Sequence, residues 1–416
     1  MLTTAIAIYS LYFILKLYVS VMQIGYINRT KCARPVLMGA ADFLKAGNYS
    51  VAKEKLAIVS AIAEYLIFIL WMGAGILWLD EATLLESPAQ KTVLMVLGFI
   101  LINGIVTLPF DWYAKFVIDE AYGFNRSSLG LFVRDTLVST LLSLIFGGLV
   151  VWGVYAIMSS FELWWLWSFG FIFAVIVVIN MLFPTVRALF FDKVTPLDDD
   201  ALNAKIENLM EQTGFESSGV YVSDASKRDA RLNAYFGGLG KTKRVVLFDT
   251  LLQKLSHQEL LAVLGHELGH FAHGDIYKNI GLVGGMLFVM FALFGNLPES
   301  LFLELGVAAS PAVVMILFLL FMPVLGFVMM PLMGVVSRHN EFEADRTGAE
   351  LGGTLYLAEA LKKLVTENKS YPISHPIYIF FYYTHPPVVE RLKALGQGVD
   401  ADTRSGMEGP CPSPEQ

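Results

Sequence analysis

Charge is scarce in this chain: Asp, Glu, Lys and Arg make up only 16% of its 416 residues. Soluble domains carry about 25%, so a freely dissolved globular protein is excluded and a polytopic membrane protein is expected. The formal net charge is −7. That sign argues against a nucleic-acid partner, which would call for clustered Lys and Arg. Cysteine is almost missing. Cys32 and Cys411 stand far apart and lack metal-site spacing. A disulfide framework is thereby excluded, and both are expected to be inert thiols in a reducing compartment.

Hydrophobic residues fill the space, at 55% of the chain. A bilayer needs about 17–25 apolar residues per helical crossing. Such stretches are read at Thr3–Tyr26, Leu56–Leu79, Val93–Pro109, Thr136–Met158, Trp164–Leu182, Ile280–Leu297 and Ala312–Val336. The first has no basic segment before it and no small-residue cleavage site after it, so it reads as a retained anchor. Positive charge sets the orientation. Arg29, Lys31, Arg34, Lys45, Lys53 and Lys55 follow the first span, and Lys115, Arg126 and Arg134 follow the third. The segment 187–278 and the region from Arg338 onward are also rich in Lys and Arg, whereas the loops after the second, fourth and sixth spans hold only Lys91. The N-terminus is expected outside, with the large loop and the C-terminus in the cytoplasm.

Within the large loop, Asp198–Phe215 reads as a helix. The short runs Val220–Val222, Asn233–Phe236 and Val245–Phe248 read as a small sheet. Ser256 and Glu259 form a capping box that opens the next helix, which Gly274 ends. On that helix stands His266-Glu267-Leu268-Gly269-His270. Histidines four apart stack on one helix face and can grip one metal ion, and the glutamate between them reaches a water activated there. The motif precedes the sixth span by about ten residues, at most ~15 Å if helical.

Catalytic zinc takes three protein ligands and keeps one position open. The third candidate is Glu341, a few residues beyond the seventh span in Glu341-Phe342-Glu343-Ala344-Asp345. Asp345 lies one turn on, where it would accept the far ring N–H of a ligating histidine. Glu343 points to the other side. The signature ending in a third histidine would need Gly at 273 and His at 276, where His273 and Ile276 stand. His257, His273, His339 and His375 read as ordinary residues. His385 and Arg391 are spaced six apart, which spacing alone leaves open. Glu64 falls inside the second span, so it must face a polar partner or cavity, without an assigned chemical role. Both motif segments adjoin span ends, so the site is expected at the cytoplasmic membrane face, suited to a lipid-anchored or membrane-embedded substrate.

Further motifs join these: Leu108-Pro109-Phe110-Asp111-Trp112-Tyr113, Gly123-Phe124-Asn125, Ser226-Lys227-Arg228, Asn233-Ala234-Tyr235-Phe236, Arg244-Val245-Val246-Leu247-Phe248-Asp249-Thr250 and His385-Pro386-Pro387 through Arg391-Leu392. The ordered set covers nearly the whole chain and resembles the type 1 CAAX prenyl protease family, integral-membrane zinc endopeptidases that cleave at prenylated C-termini. The resemblance implies a mainly α fold of seven transmembrane helices around a water-filled chamber. A cytoplasmic α+β zincin-type domain with a glutamate third ligand would close it. It implies one Zn²⁺ per chain on His266, His270 and Glu341, with Glu267 catalytic, and Asn233, His385 and Arg391 contacting the substrate or the developing oxyanion.

The strand of Asn233, Ala234 and Tyr235 is expected to pair with an extended peptide or protein substrate. The parts are then 1–186 (five spans), 187–279 (protease part with the zinc motif), 280–336 (two spans), 337–396 (protease part with the third ligand) and a disordered tail, 397–416. Asp275 departs from eukaryotic members, which often have His there. The chain also shows no dilysine retrieval signal, and its last residues are not a prenylation motif. A bacterial inner-membrane protein is expected, with the endoplasmic reticulum as the alternative. Two other readings stay open: a membrane quality-control zinc protease of broad specificity, and a non-catalytic lipid-binding or scaffold protein.

Overall fold

The structure, a computed structural model, describes residues 1–217, 219–237 and 244–399. Five helices of membrane length come first: α1 (Leu2–Thr30), α2 (Ala40–Ala82), α3 (Pro88–Asp119), α4 (Leu129–Ser160) and α5 (Trp164–Phe190). A small α+β unit follows, with β1 (Val194–Pro196), α6 (Asp200–Gln212), β2 (Val220–Ser223), β3 (Ala234–Gly237), β4 (Arg244–Phe248), α7 (Asp249–Lys254) and α8 (His257–Ala272). Then come α9 (Asp275–Phe294), α10 (Glu299–Leu305) and α11 (Pro311–Gly352), and last α12 (Thr354–Glu367), α13 (Pro376–Tyr382) and α14 (Val388–Ala394). Among the described residues, seven helices are long and apolar enough to cross a membrane, as the sequence implied.

Aromatic packing ties the first two helices together, with the Tyr9 and Phe68 rings stacked at 3.6 Å. Val19, Met95 and Ile316 complete a shared core with α3 and α11. Glu64 has the polar partner that its depth demands: Lys16 Nζ lies 2.8 Å from its carboxylate. Cys32 departs from expectation, being disulfide-bonded and no inert thiol. Cys411 and the tail from residue 400 lie outside the described residues.

The sheet order is β1-β2-β4-β3, with β2 and β4 parallel and the outer pairs antiparallel. β1 escaped the sequence reading because it is three residues long and ends in a proline. β3 is an edge strand; among the described residues β4 is its one neighbour. Beneath the sheet runs α8. Leu260, Leu264 and Leu268, one turn apart, are buried with Val245 and Leu247 of the sheet and Leu202 and Ile206 of α6. Each such leucine stabilises the unit by about 1.5–3 kcal/mol. His266 and His270 occupy the opposite face of α8, so anchoring the stripe aims the histidines away from the sheet.

α11 is a single helix of 42 residues, about 63 Å long. It runs unbroken across the boundary read at residue 336 and carries Glu341 and Asp345 on the same rod as the seventh span.

Candidate metal centre

Two helices build the centre, and glycines let them meet. α8 offers Gly265 and Gly269, and α11 offers Gly348 and Gly352. A Cβ at Gly269 would stand 3.1 Å from the Ala344 Cα, and one at Gly348 would stand 2.9 Å from both the backbone N and Cβ of His266. Spacing by four puts each glycine pair on one helix face, so the two backbones cross almost in contact. The crossing sets Glu341 and Asp345 against the histidines.

His266, His270 and Glu341 each offer a ligand atom, all within 4.8 Å of one another. His266 Nε2 is 3.5 Å from Glu341 Oε2, and His270 Nε2 is 3.2 Å from Oε1. Glu341 Oε2 is buried and accepts no hydrogen bond, although Arg391 Nη1 lies 3.1 Å away. Two imidazoles, a carboxylate and an orphaned buried oxygen form a donor set that fits a divalent cation.

Each histidine is held from behind. Asp345 Oδ1 lies 3.0 Å from His266 Nδ1, as expected from its place one turn after Glu341. Asp275 Oδ2 lies 2.8 Å from His270 Nδ1. If both rings donate Nδ1–H to these carboxylates, both Nε2 lone pairs face inward. Burial opposes charge on His270, but Glu341 and Asp275 outweigh it and hold its pKa up at about 9. Asp275 is the functional residue that sequence reasoning missed. It is the first residue of α9, just after Gly274, whose φ of 67° turns the chain so that a residue five beyond His270 meets that ring. Lys278 Nζ, 2.7 Å from Asp275 Oδ1, holds the carboxylate in turn. Asp275→Asn should lower metal affinity by about 10–100-fold, measured by competition with a chromophoric chelator. Unchanged affinity would remove Asp275 from the site.

Arg391 is buried, donating to Asp345 at 2.8 and 2.6 Å. The structure places it behind the donors, with 8% of its side chain exposed. His385 differs. Its Nε2 lies 3.1 Å from Glu341 Oε1 while 65% of its side chain is accessible. Desolvation by the surrounding protein lowers its pKa despite the opposing pull of Glu341. Glu267 is half-buried next to His266, close enough to act electrostatically on His270 and His385. Glu343 pairs with Arg346 at 2.8 Å, away from the centre.

Asn233 is exposed at the start of β3, its backbone oxygen accepting from Phe248 N at 3.1 Å. Ala234 and Tyr235 pair with Leu247 and Val246, leaving the far edge of β3 open among the described residues. The Tyr235 ring packs toward Arg187 and Phe183 at the end of α5, with its buried hydroxyl lacking a hydrogen-bond partner.

Membrane-length helices joined to a His-Glu-x-x-His helix and a third carboxylate define a membrane metalloendopeptidase. Residues 33–193 match the family model described as CAAX prenyl protease N-terminal, five membrane helices, and residues 196–398 match peptidase family M48. The chain is 33% identical to CAAX prenyl protease 1 of Saccharomyces cerevisiae over 91% of either chain. It is 31% identical to the CAAX prenyl protease 1 homolog of Oryza sativa subsp. japonica over 95% of this chain and 96% of that one. The crystal structure of S. mikatae Ste24p superposes with a TM-score of 0.85 at 29% identity, covering 95% of this chain and 98% of that chain. The chain belongs to the CAAX prenyl protease 1 family of M48 peptidases.

Proposed function

We propose that this protein is a zinc endopeptidase that cuts peptide bonds near the C-terminus of prenylated or other membrane-associated proteins. The observation that carries the reading is the convergence of His266, His270 and Glu341 within 4.8 Å, with Glu267 beside them. His266, His270 and Glu341 would hold the zinc ion, which would supply Lewis-acid chemistry for the carbonyl and the attacking water.

The chain's own groups supply the remainder. Glu267 takes a proton from the attacking water as the C–O bond forms and the carbonyl oxygen gains charge, then passes it to the amine nitrogen, whereupon the C–N bond breaks. His385 faces open space, and a ring N–H can donate to the developing oxyanion. Arg391 acts as a positioning residue, locking Asp345 and through it His266. The open edge of β3 offers backbone groups to an extended substrate at Asn233, Ala234 and Tyr235. Basic loops support a cytoplasmic site with the N-terminus on the opposite side of the membrane, which a bacterial inner membrane or the endoplasmic reticulum would satisfy.

The test gives the purified protein a farnesylated peptide and its unmodified twin, with and without chelator, and locates the cuts by mass spectrometry. Chelator-sensitive cleavage near the C-terminus, faster for the farnesylated peptide, is expected. A Glu341→Ala control should lose zinc and activity together. Equal cleavage of both peptides at many sites would favour a broad quality-control protease.

A further inference from the structure

A polar cavity of about 360 Å³ lies between α1, α2, Arg231 and the segment 368–383, and the proposed hydrolysis makes no use of it. Tyr383, in its wall, stands two residues before His385. The Tyr383 carbonyl also packs against Gly334 of α11, seven residues (about 10 Å of helix) before Glu341.

Lys53, Arg231 and Lys369 all line the cavity. Arg231 is engaged by Asp119 at 2.6 Å, by Asp229 at 2.5 Å and by the Tyr49 hydroxyl, with its guanidinium over the Phe124 ring. The two lysines are less committed. Among the described residues neither ammonium has a carboxylate at ion-pair distance; Lys53 lies over Tyr49 at 5.4 Å and Lys369 over Phe124 at 4.2 Å. The acidic member of the wall, Glu54, accepts the Tyr378 hydroxyl at 2.5 Å. Positive charge therefore exceeds negative. Lys369 also holds φ at 46°, a left-handed conformation that glycine adopts without strain, so its side chain occupies a costly position.

β3 supplies a direction. The chain enters that strand from Arg231 and Leu232, and the Asn368 side chain holds both backbone groups of Leu232, at 2.8 and 3.2 Å. Asn368 and Arg231 line the cavity, so the N-terminal end of β3 opens onto it. A peptide added antiparallel, the more stable pairing, points its C-terminus there.

We propose that this cavity is a carboxylate subsite: Lys53, Lys369 and Arg231 receive the free C-terminal carboxylate of a peptide laid antiparallel on β3. The inference rests on the endopeptidase reading and adds to it how the substrate's end is bound.

Two matched prenylated peptides, one ending in a free acid and one in an amide, test it on the purified full-length protein. The acid should show kcat/KM about tenfold or more above the amide, chiefly through KM, the factor expected from a charge-assisted hydrogen bond. In a Lys53→Gln, Lys369→Gln double variant the preference should shrink to about twofold or less, and arginine at both positions should restore most of it. Equal cleavage of acid and amide by the unaltered protein would overturn the subsite and leave the endopeptidase reading standing. Cleavage of neither peptide by the metal-loaded protein would overturn both. A double variant that keeps the full preference would also overturn the assignment. Because the unaltered protein alone can decide, misfolding of a variant cannot mask the answer.

Discussion

Glu267→Gln should keep the metal and lose turnover by about 10²–10⁴-fold, the range that a positioned general base contributes. Glutamine preserves the size and polarity of the side chain, so α8 and its leucine stripe should fold unchanged. What it cannot do is accept a proton at neutral pH. Glu267 adjoins His266 and acts electrostatically on both His270 and His385, so no second carboxylate need be invoked for that step. Metal content by mass spectrometry, read beside turnover of a farnesylated peptide, checks it. Full activity in a pure preparation of the variant would transfer the base role to another group.

The second large effect should come from a residue that touches neither metal nor substrate. Gly348→Val inserts atoms where a bare Cβ already stands 2.9 Å from the His266 backbone and 3.0 Å from the Ala262 carbonyl. Those neighbours are main chain and cannot step aside as a flexible side chain would. Overpacking of this kind typically destabilises by about 1–3 kcal/mol. Here the relief available is to widen the α8–α11 crossing, which draws Glu341 and Asp345 away from the two rings. Metal affinity should fall by about tenfold or more, with a lowered melting temperature. Gly348→Ala should move both readouts the same way by less. A folded valine variant with unchanged metal affinity would sink the argument.

Much of this was legible in the residues. Seven apolar runs gave seven helices because apolar length is a direct requirement of the bilayer. The capping box at Ser256 and Glu259 formed as read, since both partners lie within one turn. What stayed hidden depends on contacts that are long-range or on backbone geometry. Asp275 reaches His270 across a turn made at Gly274, whose φ is 67°, and α9 begins there, earlier than hydropathy alone suggested. Gly348 and Gly352 carry no chemical signature; their meaning is the matching pair at Gly265 and Gly269 on a distant helix. Spacing left Arg391 open and the resemblance implied a substrate or oxyanion contact, whereas its guanidinium donates to Asp345, 46 positions away. Spacing could not foresee that Cys32 is disulfide-bonded.

α11 is at once the last membrane crossing and the support of Glu341. Anchor and reagent are thus a single piece of polypeptide, with no linker at which a soluble catalytic fragment could be released. Truncating the chain at the membrane face to obtain a soluble fragment would remove the strut on which Glu341 stands.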